Sequence, residues 1–196
     1  MIITIARQCG CGAARIGELL SKQLGLVLYT RQMLIDMAVS RGMGDAVQSF
    51  VDEHPVNDIL MAISDQFEAS DDVKKRFCQL FRDVIGNRDC IIIGRCGNSI
   101  FAHRADLVSV FLKGDFEARV QATATAQAVD AAQARQLVSD TDERRMRYHN
   151  YYTGLTWGAA ADYDLCIDSL RLGDEATANM IAQYARGVLP EAKQHQ

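Results

Sequence analysis

A chain of 196 residues, 48% hydrophobic and 23% charged, has the length and composition of one globular domain with a full core. A net charge of −4 and a pI near 5.5 exclude a general nucleic-acid or membrane-surface binder and leave room only for a local basic pocket. No apolar run approaches the roughly 18 residues of a membrane span, and the first residues lack the basic and apolar regions of a signal peptide, so a cytoplasmic protein is expected.

The predicted elements begin at once. Ile2, Ile3, Thr4 and Ile5 make a short β-branched strand, Gly10 and Gly12 a tight turn, and Ile16, Leu19, Leu20 and Leu24 recur at helical spacing. That helix runs from about Ala13 to Gln23 and stops at Gly25. Strand, glycine turn and helix in this order point backbone N–H groups and a helix N-terminus at an anion. The ligand class they predict is a phosphorylated nucleotide. The cysteines at 9, 11, 78, 90, 96 and 166 show no CxxC spacing and read as reduced thiols. Cys9 and Cys11 supply two ligands, too few for a zinc site, and no protein metal site is read.

Leu26–Tyr29 is a second strand. Arg31–Val39 resumes helical periodicity until Gly42 and Gly44 break it, and Asp45–Phe50 reads as another short helix. His54-Pro55 is a turn signal. Val56–Ile85 fits two amphipathic helices, capped by Asn57 or Asp58 and by Ser70. Cys90–Ile93 is a continuous apolar run ending in Gly94-Arg95-Cys96-Gly97, as expected of a strand buried on both faces of a parallel sheet. Leu107–Leu112 is a fourth strand and Tyr163–Asp168 a fifth. Helical segments between strands predict an α/β layered fold with right-handed crossovers. Ligands of such sheets sit beyond the carboxyl ends of the strands, so both glycine turns face one crevice.

Between the fourth and fifth strands, Phe116–Ala128 reads as a helix, and Asp130 with Gln133 caps another. The second carries Asp142, Glu143, Arg144, Arg145, Arg147 and Tyr148 into YYTGLTW. Its arginines have two readings: a solvated face with i,i+4 pairs to Asp140, Asp142 and Glu143, or a phosphate clamp. Tyr148, Tyr151 and Tyr152 either pack that region or stack on a base. Asp174–Val188 is the last helix.

Three blocks, ITIARQCGCGAARIG, IIIGRCGNSIF and TDERRMRYHNYYTGLTWGAAADYDLCIDSLRLG, occur in this order and resemble the cytidylate kinase-like family of P-loop phosphotransferases. The resemblance implies a single domain over residues 1–196 with the three-layer P-loop NTPase fold. Its sheet would have five parallel strands, with a helical lid inserted at about 115–160. It implies ATP, Mg²⁺ and a nucleoside monophosphate, CMP or dCMP, as the reacting partners. The phosphate loop would map to Gln8, Cys9, Gly10, Cys11, Gly12, Ala13 and Ala14. Arg95 would bind the monophosphate, and the lid arginines would come from Arg144, Arg145 and Arg147. Arg31, after Tyr29 and Thr30, would border the acceptor or lie on the surface. Arginine suits these roles because its planar fork grips two phosphate oxygens at once.

The loop departs from the common GxxxxGK[ST]. With Gly12 on the glycine before the lysine, Ala13 and Ala14 take the places of the lysine and the hydroxyl residue. The family commonly reads GSGGR; here Ala14 holds the arginine's place, and Arg15 comes one residue later, about 100° round the helix. Cys11 replaces the small hydroxyl residue, Ile93 stands where many P-loop enzymes orient the metal with an acid, and Thr30 stands where the family often has Asp. Arg7 is the candidate substitute cation. The expectation is a nucleoside monophosphate kinase. The alternative is a nucleotide-binding sensor or partner protein with an eroded loop and little turnover. A third is a phosphotransferase with another acceptor.

Overall fold

A computed structural model describes residues 1–40, 75, 78, 79 and 81–188. Five parallel strands, β1 (Ile2–Arg7), β2 (Val27–Tyr29), β3 (Cys90–Ile93), β4 (Leu107–Lys113) and β5 (Leu165–Asp168), form one sheet in the order β2-β3-β1-β4-β5. The longer helices are α1 (Ala13–Leu24), α2 (Arg31–Val39), α4 (Phe116–Gln127), α5 (Ala131–Thr153) and α7 (Asp174–Val188). The single turns α3 (Gly97–Ile100) and α6 (Ser169–Leu172) and a 3-10 turn (Ala160–Asp162) complete the chain order. The two amphipathic helices expected within Val56–Ile85 lie largely outside the described residues. Those described there, at 75, 78, 79 and 81–85, are helical. The short helix Asp45–Phe50, the breaks at Gly42 and Gly44 and the turn at His54-Pro55 lie wholly outside them.

Strand alternation builds the three layers. Ile3 and Ile5 project to one face, where Ile16, Leu20, Ile91, Val110, Leu112 and Ile181 are buried with them between the sheet and α1 and α7. Ile2 projects to the other, among Tyr29, Leu34, Phe81, Ile92, Phe101 and Tyr148. Each such side chain contributes about 1.5–3 kcal/mol on burial. Thr4 follows Ile2 on that second face. It is a polar residue in the apolar first half of the strand and is buried all the same.

Several boundaries differ from the sequence reading, three of them for a clear local reason. β1 continues to Arg7 because Ala6 and Arg7 pair with Phe111 and Leu112 of β4. β5 starts at Leu165 rather than Tyr163: the Asp164 carboxylate accepts from the Ser109 N–H at 2.7 Å and from its Oγ at 2.7 Å, taking a place in the ladder that a backbone carbonyl would fill. α4 stops at Gln127, with Ala128 as its left-handed C-cap (φ 53°). The Asp130–Gln133 capping box is reciprocal: Asp130 Oδ1 accepts from the Gln133 N–H at 2.8 Å and Gln133 Oε1 from the Asp130 N–H at 3.4 Å.

Candidate nucleotide-binding site

The loop between β1 and α1 is fastened on three sides. Gln8 donates its N–H to the Leu112 carbonyl at 2.9 Å, and its Oε1 accepts from the Gly114 N–H at 3.0 Å, tying the loop to β4. Cys9 donates its N–H to Asp142 Oδ1 of α5 at 2.7 Å. Its carbonyl accepts from Arg119 Nη1 of α4 at 3.3 Å. Arg119 in turn pairs with Asp142 Oδ2 at 2.6 Å and donates from Nε to the Gly114 carbonyl at 3.1 Å. On the third side, Ser169 Oγ donates to the Cys11 carbonyl at 3.0 Å.

Gly10 and Gly12 have φ of +85° and +66°. A Cβ on Gly10 would stand 2.7 Å from the Arg119 carbonyl, so both backbone shape and close approach require glycine there. Ile16 donates to the Gly12 carbonyl at 3.0 Å as the first bond of the α1 ladder, which leaves the amides of residues 13 to 15 ahead of it. No acidic residue occupies the first turn of α1. A row of unclaimed amides at a helix N-terminus is an anion cradle. Burial pushes the Cys11 thiol up to about 11, with Ser169 pulling the other way, so Cys11 carries no thiolate charge near neutral pH.

The turn after β3 supplies the second half. Gly94, Arg95 and Cys96 all have left-handed backbone, with φ of 76°, 59° and 52°. For Arg95 and Cys96 this costs about 1–2 kcal/mol each, strain of the kind that functional turns store. It buries Arg95 against a cavity also lined by Thr4, Arg7, Asn98, Arg145, His149 and Trp157. Arg145 reaches it from α5 and donates from Nη1 to the Arg7 carbonyl at 3.3 Å. The free space is about 20 Å³, room for a single water.

The structure thus brings Arg7, Arg95 and Arg145 together beside the loop formed by Gln8 to Ala14. Arg144 is exposed, and Arg147 pairs with Glu143 at 2.6 Å on the solvent side of α5. Arg15 is exposed and lies 3.5 Å from Glu18. Arg31 is exposed at the start of α2, where Thr30 Oγ1 caps the helix N-terminus by accepting from the Met33 N–H at 3.2 Å. Tyr148, Tyr151 and Tyr152 pack on one another, with ring centroids 4.7 and 5.0 Å apart. Arg119, His149 and Thr4 were not legible as site residues, and Asp142 was legible only as a surface partner. Folding the α4–α5 hairpin about its turn at Ala128–Asp130 brings Arg119 towards Asp142, which is the signal in the sequence for that pair.

Ala14 offers no oxygen to a metal, and Ile93 packs onto α1, its Cδ1 3.2 Å from where a Cβ on Gly17 would stand. Among the described residues, no group of three His, Cys, Asp or Glu side chains is arranged to hold a metal ion. Residues 14 and 93 thus supply no metal ligand, and Mg²⁺ enters the reading together with ATP, as the MgATP substrate. Nor is any described helix long and apolar enough to cross a membrane.

A parallel sheet of order β2-β3-β1-β4-β5, with a glycine loop leading from its central strand into a helix beneath a helical hairpin, defines the P-loop kinase fold. Solved structures agree. A shikimate kinase from Bacteroides thetaiotaomicron superposes with a TM-score of 0.52 at 11% identity, over 96% of this chain and 97% of that one. A gluconokinase from Sinorhizobium meliloti gives 0.51 at 12%, over 95% and 94%. An uncharacterized protein from Eubacterium ventriosum gives 0.75 at 25%, over 95% and 98%. Residues 2–171 match the model of the cytidylate kinase-like family, and the chain belongs to that family. A curated relative, the cytidylate kinase of Methanopyrus kandleri, is 22% identical over 190 residues, 92% of this chain and 91% of its own. Family and fold place the protein among nucleotide-binding phosphotransferases.

Proposed function

We propose that the protein is a nucleoside monophosphate kinase that moves the γ-phosphoryl group of MgATP to a CMP- or dCMP-like acceptor. The observation that carries this reading is the meeting of Arg95 and Arg145, from a β-turn and a distant helix, in one cavity beside the glycine loop. Phosphoryl transfer spreads negative charge over oxygens that must be held in line, and asks the protein mainly for positioning and positive charge. The amides of residues 10–15 and the N-terminus of α1 hold the ATP phosphates. Arg95 holds the acceptor phosphate, Arg145 neutralises charge on the transferring group, and α5 excludes water. The cytidine preference is supported by the relative named a cytidylate kinase.

A coupled assay of ADP release, with MgATP and a panel of nucleoside monophosphates, tests the reading. Release that depends on CMP or dCMP and exceeds that with AMP, GMP and UMP is expected. Turnover with no monophosphate in the panel overturns it. The exposed Arg15–Glu18 pair favours a second reading, because it leaves the first turn of α1 without a cation on the loop. Under that reading, calorimetry detects tight ATP and CMP binding while ADP release stays at background.

A further inference from the structure

Two polar atoms in the cavity have no part in the reaction as described. His149, 3% exposed, and Thr4, 2% exposed, both line it. His149 Nε2 and Thr4 Oγ1 are buried without a hydrogen-bond partner. A buried polar group left unsatisfied costs about 1–3 kcal/mol, and two in one small void beside three arginines mark a place prepared for a polar ligand. They come from different layers: Thr4 from the sheet, His149 from the inner face of α5. Arg95 and Arg145 line the same void, so a phosphate that opens it and sits between the two arginines meets both atoms.

We propose that His149 is an acceptor-binding residue: when the acceptor phosphate enters beside Arg95 and Arg145, the imidazole takes up a proton from solvent, keeps it, and donates a hydrogen bond from Nε2 to a phosphate oxygen, with Thr4 Oγ1 as a second donor. This rests on reading the cavity as the acceptor site. The groups facing His149 make the coupling directional. Arg7 comes from β1, Arg95 and Cys96 from the turn after β3, Asp162 from the 3-10 turn, and Arg145 and Tyr148 from its own helix. Before a ligand arrives, burial disfavours the charged ring, opposed by Asp162. A phosphate dianion offsets the positive charge of the three arginines and favours the charged ring, which draws the proton in. Binding and protonation are then linked, and the acceptor binds more tightly as pH falls towards 6.

The test follows the His149 ring by NMR, assigned by its loss in H149Q, through pH titrations of the free protein and of the protein with CMP, cytidine or inorganic phosphate. With CMP the titration midpoint is expected to rise by about one pH unit, a tenfold gain in proton affinity. Cytidine, which lacks the phosphate, leaves it in place. Two variants separate binding from packing. H149Q keeps a donor but not the titration, so it binds CMP near neutral pH within a few fold of wild type and with a flat pH profile. H149F fills the space without a donor and weakens CMP binding at least tenfold. If CMP binds and the ring does not respond, the proposal fails while the kinase reading stands. If CMP does not bind but inorganic phosphate raises the midpoint, the phosphate contact stands and the kinase reading fails. No response to either phosphate ligand overturns the proposal, and NMR on the wild-type protein decides this even if H149F fails to fold.

Discussion

Arg95 is held by a turn whose backbone is unfavourable and whose side chain is almost fully buried, and both features cost stability. Arg147, by contrast, sits in an exposed i,i+4 pair with Glu143 of the kind worth about 0.3–0.5 kcal/mol. Replacing Arg95 with Ala should lower kcat/KM at least a hundredfold, a loss near 3 kcal/mol. Replacing Arg147 with Ala should leave it within about twofold, as steady-state kinetics on the two variants will show. His149 supplies a prediction on stability at the same scale. Its folded-state pKa lies below the ordinary 6.5 because burial disfavours the charged ring. The unfolded chain therefore binds this proton first as pH falls. Stability from the neutral ring is full above about pH 6.5 and is lost as pH drops from there towards the folded-state midpoint. In acceptor-free buffer, melting temperatures of wild type should fall more between pH 7.5 and 5.5 than those of H149Q.

The α4–α5 hairpin has a core of its own, in which Val120, Ala134 and Val138 are buried with Cys9 and Phe116 against them. Its link to the glycine loop is polar: Asp142 bridges the Cys9 N–H and the buried Arg119 guanidinium. Removing one member of a buried pair strands the other, at a cost of about 3 kcal/mol, whereas replacing both with apolar side chains recovers part of that loss. Asp142→Ala and Arg119→Met should each lower stability in urea titrations by roughly that amount, and the Arg119→Met/Asp142→Leu double variant by less. Titration of ATP should show weaker binding in all three, because the Cys9 end of the loop loses its anchor in each. Loss of stability in the single variants with ATP affinity unchanged would reduce the triad to a fold contact. At this scale the sequence was informative where the signal is local. The strands, the helix that stops at Gly25 and the Asp130–Gln133 cap follow from periodicity and short-range hydrogen bonding. Glycine spacing placed the loop. The anchors of the loop were not legible, because Gln8 to β4, Cys9 to α5 and Ser169 to Cys11 join residues whose proximity depends on how layers stack. Asp142 illustrates the ambiguity: its sequence neighbours suggested a surface helix pair, and the hairpin geometry gave it Arg119 instead.

Taken as a whole, the molecule presents a site divided between two bodies. Residues on the sheet supply the glycine loop, Thr4 and Arg95, and the hairpin supplies Arg145 and His149. The cavity between them holds about 20 Å³, whereas small-molecule sites usually enclose about 300 Å³ or more. On the proposed reading, a nucleotide reaches these arginines only if the hairpin swings away from the sheet. Its ends suit that motion, since it leaves the sheet through Gly114 and returns through Gly154, which has left-handed backbone. The polar contacts from Asp142, Arg119 and Arg145 to residues 7–9 hold it shut, and all of them fall on the first turn of the loop rather than on the amides of residues 10–15. Lifting the hairpin therefore releases the Cys9 end of the loop, and closure over bound nucleotides fastens it again. Hydrogen exchange followed by mass spectrometry reads this directly. Amides of 131–153 should exchange faster in Asp142→Ala than in wild type, while those of 174–188, packed on α1, stay unchanged. CMP together with a non-hydrolysable ATP analogue should slow exchange in 131–153 below the ligand-free level. Exchange in that segment that ignores both the substitution and the ligands would mean that hairpin and sheet form one rigid body, and that substrates reach the arginines by another path.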